Sequence, residues 1–410
     1  MPVPERSFLV LLYGQKIGNL QQRGAFTRFY FSPKYLEDPQ RPVLGLYFEE
    51  DPPEQRVRRL RLPSWFSNLL PEDRLRRWIA DQRGIPLDRE VDLISEIGHD
   101  LPGAVQIVPG SESSKVIDWP RVKDGLGQGF SAAGKGGIRF SLAGVTMKFS
   151  MVRVGERLVL PAADERGDWI VKLPDASFPR VPENEFAMMT LARESGIDVP
   201  EIELMHRDQL PRLPDNLWAN GETYAYAVRR FDRGDQRQLI HIEDLAQVLG
   251  IYPESKYEAN FETIASLIFR RRDKGSLQEF GRRFVFNVCI GNSDAHLKNW
   301  SLIYRNSRRP SLAPAYDLVS TLPYGYRGLG MPWEGHTDSQ EVTLDSLTRL
   351  ERRLQTKVAL GDVGAETCKR LVEAWPRVEE GLRSAPEVRN AVAESVNTVT
   401  RKLLGRVGPS

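Results

Sequence analysis

The sequence predicts an α+β protein: a small β-rich N-terminal domain fused to a two-lobed core whose second lobe is mostly helical. Three observations predict it. Short alternating apolar runs bounded by Gly, Pro or Asp fill residues 7 to about 105. Seven glycines crowd residues 124–144 (125, 127, 129, 134, 136, 137 and 144), a density that forbids packed regular structure and reads as a loop. After Asp232 the apolar spacing turns helical. These shifts divide the chain into 1–105, 106–232 and 233–410.

In order, residues 8–13, 26–31 and 43–48 alternate as strands do, and 69–80 (Leu75, Trp78, Ile79) and 88–97 read as helices. Strands are expected at 137–142, 146–152, 158–161 and 169–173, then a helix over 182–195 stopped by Gly196, then a strand at 224–231. Helices follow at 242–249, 261–271, 277–290, 341–358 and 366–380. Leu277, Phe280, Phe284 and Val288 form one apolar stripe on the helix that leads into the polar segment 291–299.

A chain of 410 residues suggests two or three domains. It has no run of the ~20 apolar residues that a membrane-crossing helix needs, and its opening residues lack a secretory pattern, so a cytoplasmic protein with no membrane partner is expected. Cys289 and Cys368 are the only cysteines, which argues against a disulfide framework and for packing roles. Fifty-seven Lys and Arg against 55 Asp and Glu leave a charge near +2, too small to indicate nucleic-acid binding by itself. The run Arg270–Arg272 reads as a solvated helix face.

The chemistry concentrates in Gly291-Asn-Ser-Asp-Ala-His-Leu-Lys-Asn299 and in Ala313-Pro-Ala-Tyr-Asp317. Asp294 and Asn299 have the spacing of a phosphotransferase loop in which the Asp takes the substrate hydroxyl proton and the Asn holds Mg²⁺. That spacing alone is equally read as a helix-capping, solvated turn. The strand-like runs 300–304 and 311–313 around a polar turn fold Asp317 back beside Asn299 as a second Mg²⁺ ligand. Lys172, alone on an apolar strand, needs a partner such as a phosphate. His296, with no Cys/His ligand spacing nearby, is read as an orienting hydrogen-bond group rather than a metal ligand.

At these residues the chain resembles the HipA-type serine/threonine kinase toxins of bacterial toxin–antitoxin modules. The resemblance is carried by segments 291–299, APAYDLVST (313–321), IRFSLAG (138–144), WIVKLP (169–174), VRRFDR (228–233) and WFSNLLPE (65–72). It implies a bilobal protein-kinase-like core, with ATP and Mg²⁺ as cofactors. Ala143, Gly144, Val145, Thr146, Met147 and Lys148 would cover the phosphates, Lys172 would be the ATP lysine, and Glu185 rather than Glu183 its carboxylate partner. Arg229, Arg230 and Phe231 would form the adenine hinge, and His296, Leu297, Lys298, Asn299, Tyr316 and Asp317 the rest of the nucleotide site. Ser141 matches the autophosphorylated serine, where added negative charge would switch the enzyme off.

Implied partners are a helix-turn-helix antitoxin of HipB type, operator DNA reached mainly through it, and a protein substrate such as an aminoacyl-tRNA synthetase. Two departures are visible: Thr146-Met147 stands where the family carries Gln-Glu, and Arg229 where it is commonly acidic. Rival readings are a small-molecule kinase of the same lobe architecture and a nucleotide-sensing regulator without catalysis.

Overall fold

Strands in the N-terminal unit follow the alternation of its sequence. In a computed structural model describing residues 5–50, 57–110, 147–161, 165–211, 213–270 and 272–405, β1 (Glu5–Leu12) pairs antiparallel with β2 (Gln15–Arg23). The two-residue turn Tyr13-Gly14 between them has positive φ at both positions, 53° and 75°, the twist a tight hairpin needs. With β3 (Phe26–Phe31), β4 (Arg58–Arg59) and β5 (Val105–Pro109), the sheet runs β4-β3-β2-β1-β5. Phe8, Val10, Leu12 and Leu20 bury one face against Trp65, Phe66, Val91 and Ile94. The helices of this unit are α1 (Pro33–Glu37), α2 (Leu46–Glu50), α3 (Ser64–Ser67), α4 (Asp73–Arg83) and α5 (Glu90–Ile97). The glycine-rich tract, the expected strand at 137–142, and Ser141, Ala143, Gly144, Val145 and Thr146 lie outside the described residues.

A second sheet contains β6 (Lys148–Val154), β7 (Arg157–Val159), β8 (Trp169–Lys172), β9 (Ile202–His206) and β10 (Tyr224–Arg229) in the order β7-β6-β8-β10-β9. Helix α6 (Val181–Glu194) packs on it through Met188, Met189 and Leu191. A small third sheet, β11 (His241–Asp244), β12 (Ser301–Tyr304) and β13 (Ser311–Leu312), sits at the edge of the helical lobe. That lobe holds α7 (Leu245–Leu249), α8 (Phe261–Phe269), α9 (Lys274–Ile290), α10 (Leu344–Arg353), α11 (Leu360–Val378) and α12 (Pro386–Leu403). Cys289 and Cys368 are both free and fully buried there, as packing residues are. The α+β class is thus the observed one.

Two expected elements change type. Residues 43–48 alternate, yet Leu46–Glu50 is helical, because Leu44 and Phe48 pack in the N-terminal core while Leu46 packs in the helical core. The alternation records two different cores, with no sheet edge between them. Residues 242–244, expected as helix, pair with β12 (Ile242 with Ile303, Asp244 with Ser301). Asp244 then caps α7 reciprocally with Gln247, so the helix starts three residues later. Helix α12 and strands β2, β5 and β9 were not among the expected elements.

Strand β11 is also where the N-terminal unit docks. Glu243 accepts hydrogen bonds from the Leu46 amide (2.9 Å), the Trp65 indole (3.1 Å) and the Tyr304 hydroxyl. His241 is fully buried; its Nε2 faces the Leu44 carbonyl at 2.8 Å and its Nδ1 faces the Ala104 amide at 3.4 Å. An amide donor at Nδ1 and a carbonyl at Nε2 suit only the neutral ring. Burial holds its pKa down to about 4. The unfolded imidazole protonates near 6.5 and the folded one does not, so this residue's stability is full above pH 6.5 and declines as pH falls toward 4. At pH 5 the loss is about 2 kcal/mol. His241→Gln is therefore expected to lose less stability than the parent between pH 7 and pH 5, as measured by urea unfolding; equal losses would contradict this assignment.

Candidate active site

Helix α9 fixes the loop. Asp273 caps its start by accepting from the Ser276 amide at 3.0 Å, and Leu277, Phe280, Phe284 and Val288 are buried along one stripe. The helix stops at Gly291, whose φ of 65° lets its amide close back on Asn287 and Val288; a side chain there would also strike Leu322. The loop is then pinned from inside and outside. Asn292 donates to Asn287 (2.8 Å) and accepts from the Asp294 amide (3.0 Å), while Thr321 donates to the Gly291 carbonyl (2.8 Å) and bonds Ser293. Gly330 backs the loop so closely that a Cβ would lie 2.5 Å from the Ala295 oxygen.

The β12–β13 hairpin returns the chain as expected, with Leu302 opposite Leu312 and Ile303 opposite Ser311. It places Asp317 on the same small cleft as Asn299, Asn287, Asn292 and Tyr316. Asn299 spends its Nδ2 on the Asp294 carbonyl at 3.0 Å, which leaves its side-chain oxygen for a cation. Among the described residues no group of three or more His, Cys, Asp or Glu could hold a metal by itself. The hard oxygens of Asn299 and Asp317, supplemented by ligand oxygens, are a donor set that fits Mg²⁺. Asp317 has a φ of 54°, uncommon for a residue with a side chain. The segment after it is held by α6, where Asn184 exchanges hydrogen bonds with Ser320.

Lysines converge on Asp317 from the second sheet. Lys172 Nζ lies 2.6 Å from Glu185 and 2.5 Å from Asp317; Glu183 pairs instead with Arg180. The two carboxylates hold the Lys172 ammonium charged despite burial, and Asp317 is kept below the usual carboxylate range against its own burial by Lys172 and Lys148. Burial pushes Glu185 up to about 7, against the pull of Lys172. Lys148 stands directly opposite Lys172 across β6 and β8, yet it makes no ion pair or hydrogen bond among the described residues. Burial lowers its pKa, opposed by Asp317. Two like charges at facing positions disfavour each other unless an anion joins them.

Several expected nucleotide residues do something else. Met147 packs in the core of the second sheet with Trp169 and Leu173, so its side chain is not a phosphate contact. Leu297 is fully buried in the helical core. Lys298 is spent on Asn68 (2.9 Å), Glu72 (3.2 Å) and Asp244 (3.5 Å). The Arg230 side chain is buried against Asp100 and Asp232, both at 2.9 Å, so any hinge contact there falls to the backbone. The amides of Arg229 and Arg230 already donate to the Glu201 and Asp168 carbonyls, each at 2.8 Å, whereas the Phe231 amide makes no hydrogen bond among the described residues. The Phe231 ring lies 5.6 Å from that of Tyr316, whose hydroxyl donates to the Lys298 carbonyl.

His296 is expected to orient a neighbour, but neither ring nitrogen has a hydrogen-bond partner among the described residues. Burial and the nearby Lys256 hold its pKa down to about 3, so the buried ring is neutral and unsatisfied. Sequence reasoning missed Tyr257. Its hydroxyl donates to Asp294 Oδ1, and its ring lies 5.0 Å from that of His296. No spacing in the sequence singles out this loop tyrosine.

Similarities to known proteins run along the whole chain. Y4dM of Sinorhizobium fredii, named there as a candidate kinase, is 39% identical over 406 residues, 95% of this chain and 96% of its own length. The serine/threonine-protein kinase toxin HipA of Shewanella oneidensis is 27% identical over 359 residues, 71% of this chain and 75% of that protein. A solved complex of Shewanella oneidensis MR-1 HipA, HipB and operator DNA contains a chain with the same fold, with a TM-score of 0.72, 23% identity, and coverage of 97% of this chain and 96% of that one. Residues 8–108 match the HipA N-terminal domain and residues 140–376, which carry Asp294, Asn299 and Asp317, match the HipA-like C-terminal domain, so this chain is a member of the HipA family.

Proposed function

We propose that this chain is an ATP- and Mg²⁺-dependent serine/threonine protein kinase acting in the cytoplasm as the toxin of a HipA-type module. The observation that carries the reading is the facing pair Lys148 and Lys172 at Asp317, with Lys148 making no ion pair or hydrogen bond among the described residues. With Lys172 already held by Glu185 and Asp317, Lys148 is the cation left to meet an anionic ligand, and ATP supplies one. Lys172 and Lys148 neutralise phosphate charge, and Glu185 keeps Lys172 in place. Tyr257 donates to Asp294 Oδ1 and so orients the carboxylate that would accept the proton of a substrate hydroxyl. The hydroxyl oxygen takes the γ-phosphoryl group, its proton passes to Asp294, and ADP leaves. Asn299 and Asp317 would hold Mg²⁺, which supplies charge neutralisation on the phosphates. The open Phe231 amide and ring would meet the adenine.

The partners follow from the relatives. The solved HipA chain of the same fold is in complex with HipB and operator DNA, which supports a HipB-type helix-turn-helix antitoxin here and operator contact mainly through it. Among the described residues no helix is long and apolar enough to cross a membrane. The substrate would be a protein, an aminoacyl-tRNA synthetase being the class the family suggests.

Incubation with labelled ATP and Mg²⁺ tests the reading. Phosphate is expected on protein, including Ser141 of the chain itself, located by mass spectrometry, and is expected to be absent in Asp294→Asn. Modified protein should bind ATP more weakly, because a phosphate adds about −1.5 to −2 charge near the nucleotide phosphates. An active enzyme that leaves Ser141 unmodified would remove the self-inactivation step. Transfer to small acceptors with none to protein would favour a small-molecule kinase, and absence of any turnover a non-catalytic regulator.

A further inference from the structure

We propose that Glu72, a residue of the N-terminal unit, is a positioning residue of the active site, holding the Asp294 loop from across the domain junction. The proposal rests on the phosphotransfer reading above. Glu72 stands at the start of α4, just after the segment Asn68–Pro71 that leaves α3. Its carboxylate lies 2.5 Å from Lys256 Nζ and 3.2 Å from Lys298 Nζ. All three side chains are largely buried, at 16%, 8% and 12% exposure, so the pairing is scarcely screened by solvent.

Each lysine is tied to the chemistry by its own backbone. Lys298 lies within the loop between Asp294 and Asn299, in the short turn Leu297–Asn299. Lys256 accepts the Leu297 amide on its carbonyl at 3.1 Å, and the next residue, Tyr257, donates to Asp294. Asn68 reinforces the clamp, accepting from Lys298 at 2.9 Å and donating to the Ile251 carbonyl at 2.7 Å. One carboxylate thus gathers two cations that belong to the two strands of chain framing the base. Without its charge, Lys256 and Lys298 face one another with like charge in a partly dry site. Asp244 still reaches Lys298, at 3.5 Å, but among the described residues Lys256 loses its only ion pair and keeps just the face of the Tyr257 ring, 5.8 Å away. The disturbance falls on Tyr257 and Asp294, while Lys172 and Glu185 keep their pairing from β8 and α6 and Lys148, on which Asp317 acts more strongly than Glu72, keeps Asp317. The expected signature is therefore a loss in kcat at nearly constant nucleotide affinity.

This assigns the N-terminal unit, which contacts the helical lobe through Glu72 and the second sheet through Asp100 and Trp78, a part in catalysis. The test uses the full chain with steady-state phosphotransfer, calorimetric Mg-ATP binding and thermal melting. Glu72→Gln is expected to lower kcat at least tenfold with the Mg-ATP Kd changed less than about threefold. Removing the stranded ammonium as well, in Glu72→Gln with Lys256→Met, is expected to restore at least a third of the parental kcat. A purely structural role predicts additive losses in the pair. If Glu72→Gln does not fold, Glu72→Asp takes its place, with a kcat loss of at least threefold at constant Kd expected. Parental kcat in the folded single variant, or no recovery in the folded pair, overturns the proposal while the kinase reading stands. An inactive parent, or an active Asp294→Asn, sinks the kinase reading itself.

Discussion

Asp294→Asn is expected to lower phosphotransfer by about 10³-fold or more while leaving Mg-ATP affinity within a few-fold. The size follows from the usual worth of a positioned base, ~10²–10⁴, in a reaction where the protein mainly orients and neutralises. The selectivity follows from geometry. Asp294 is bonded to Tyr257 and to its own loop, whereas the cations proposed to meet phosphate gather at Asp317. An amide at 294 keeps the Tyr257 contact and the shape of the loop but cannot accept a proton. Asp317→Asn is expected to be worse in a different way: it removes the charge that pairs Lys172 and one of two candidate Mg²⁺ ligands, so both Mg-ATP binding and turnover fall. Calorimetry beside a turnover assay separates the two variants. Parental activity in Asp294→Asn, or parental Mg-ATP affinity in Asp317→Asn, would contradict the role given to that residue.

Arg230→Met is expected to cost about 3–5 kcal/mol of stability, the largest effect on folding anticipated for any single residue considered. Arg230 donates to Asp232 at 3.0 and 2.9 Å, to Asp100 at 2.9 Å and to the Leu101 carbonyl at 3.1 Å, joining the N-terminal unit to the end of β10. Arg233 shares both carboxylates, and Asp232 also accepts from the Gly103 amide. Burial alone would raise the Asp232 carboxyl, but Arg230 and Arg233 bring it down to about 2. Deleting one arginine leaves two buried acids to a single cation. Methionine is used because it fills similar volume, so the measured loss reports charge and hydrogen bonding rather than a cavity. Urea unfolding at pH 7 gives the value, and a loss below 1 kcal/mol would mean that Arg233 alone satisfies the pair. Lys in place of Arg is expected to recover little, since it cannot bond both acids and a carbonyl in one plane.

What the sequence by itself determined is local in the chain. Asp294 and Asn299 stand five residues apart and Asp317 one hairpin further on, so their grouping follows from a turn and a short strand pair that the residue pattern already states. The Leu277–Val288 stripe likewise names the face of α9 that must be buried. Tertiary structure decided what those faces meet. Periodicity reports that a side chain leaves water, not which partner receives it, and so it could not show Met147 entering the sheet core, Arg230 serving a domain joint, or residues 242–244 taking a strand from β12. Tyr257 was silent for the same reason, and Glu72, though it ends the segment 65–72 that carries the resemblance, had no role legible there: they reach Asp294 and Lys298 across 37 and 226 positions of chain, and only tertiary packing brings such groups within a hydrogen bond.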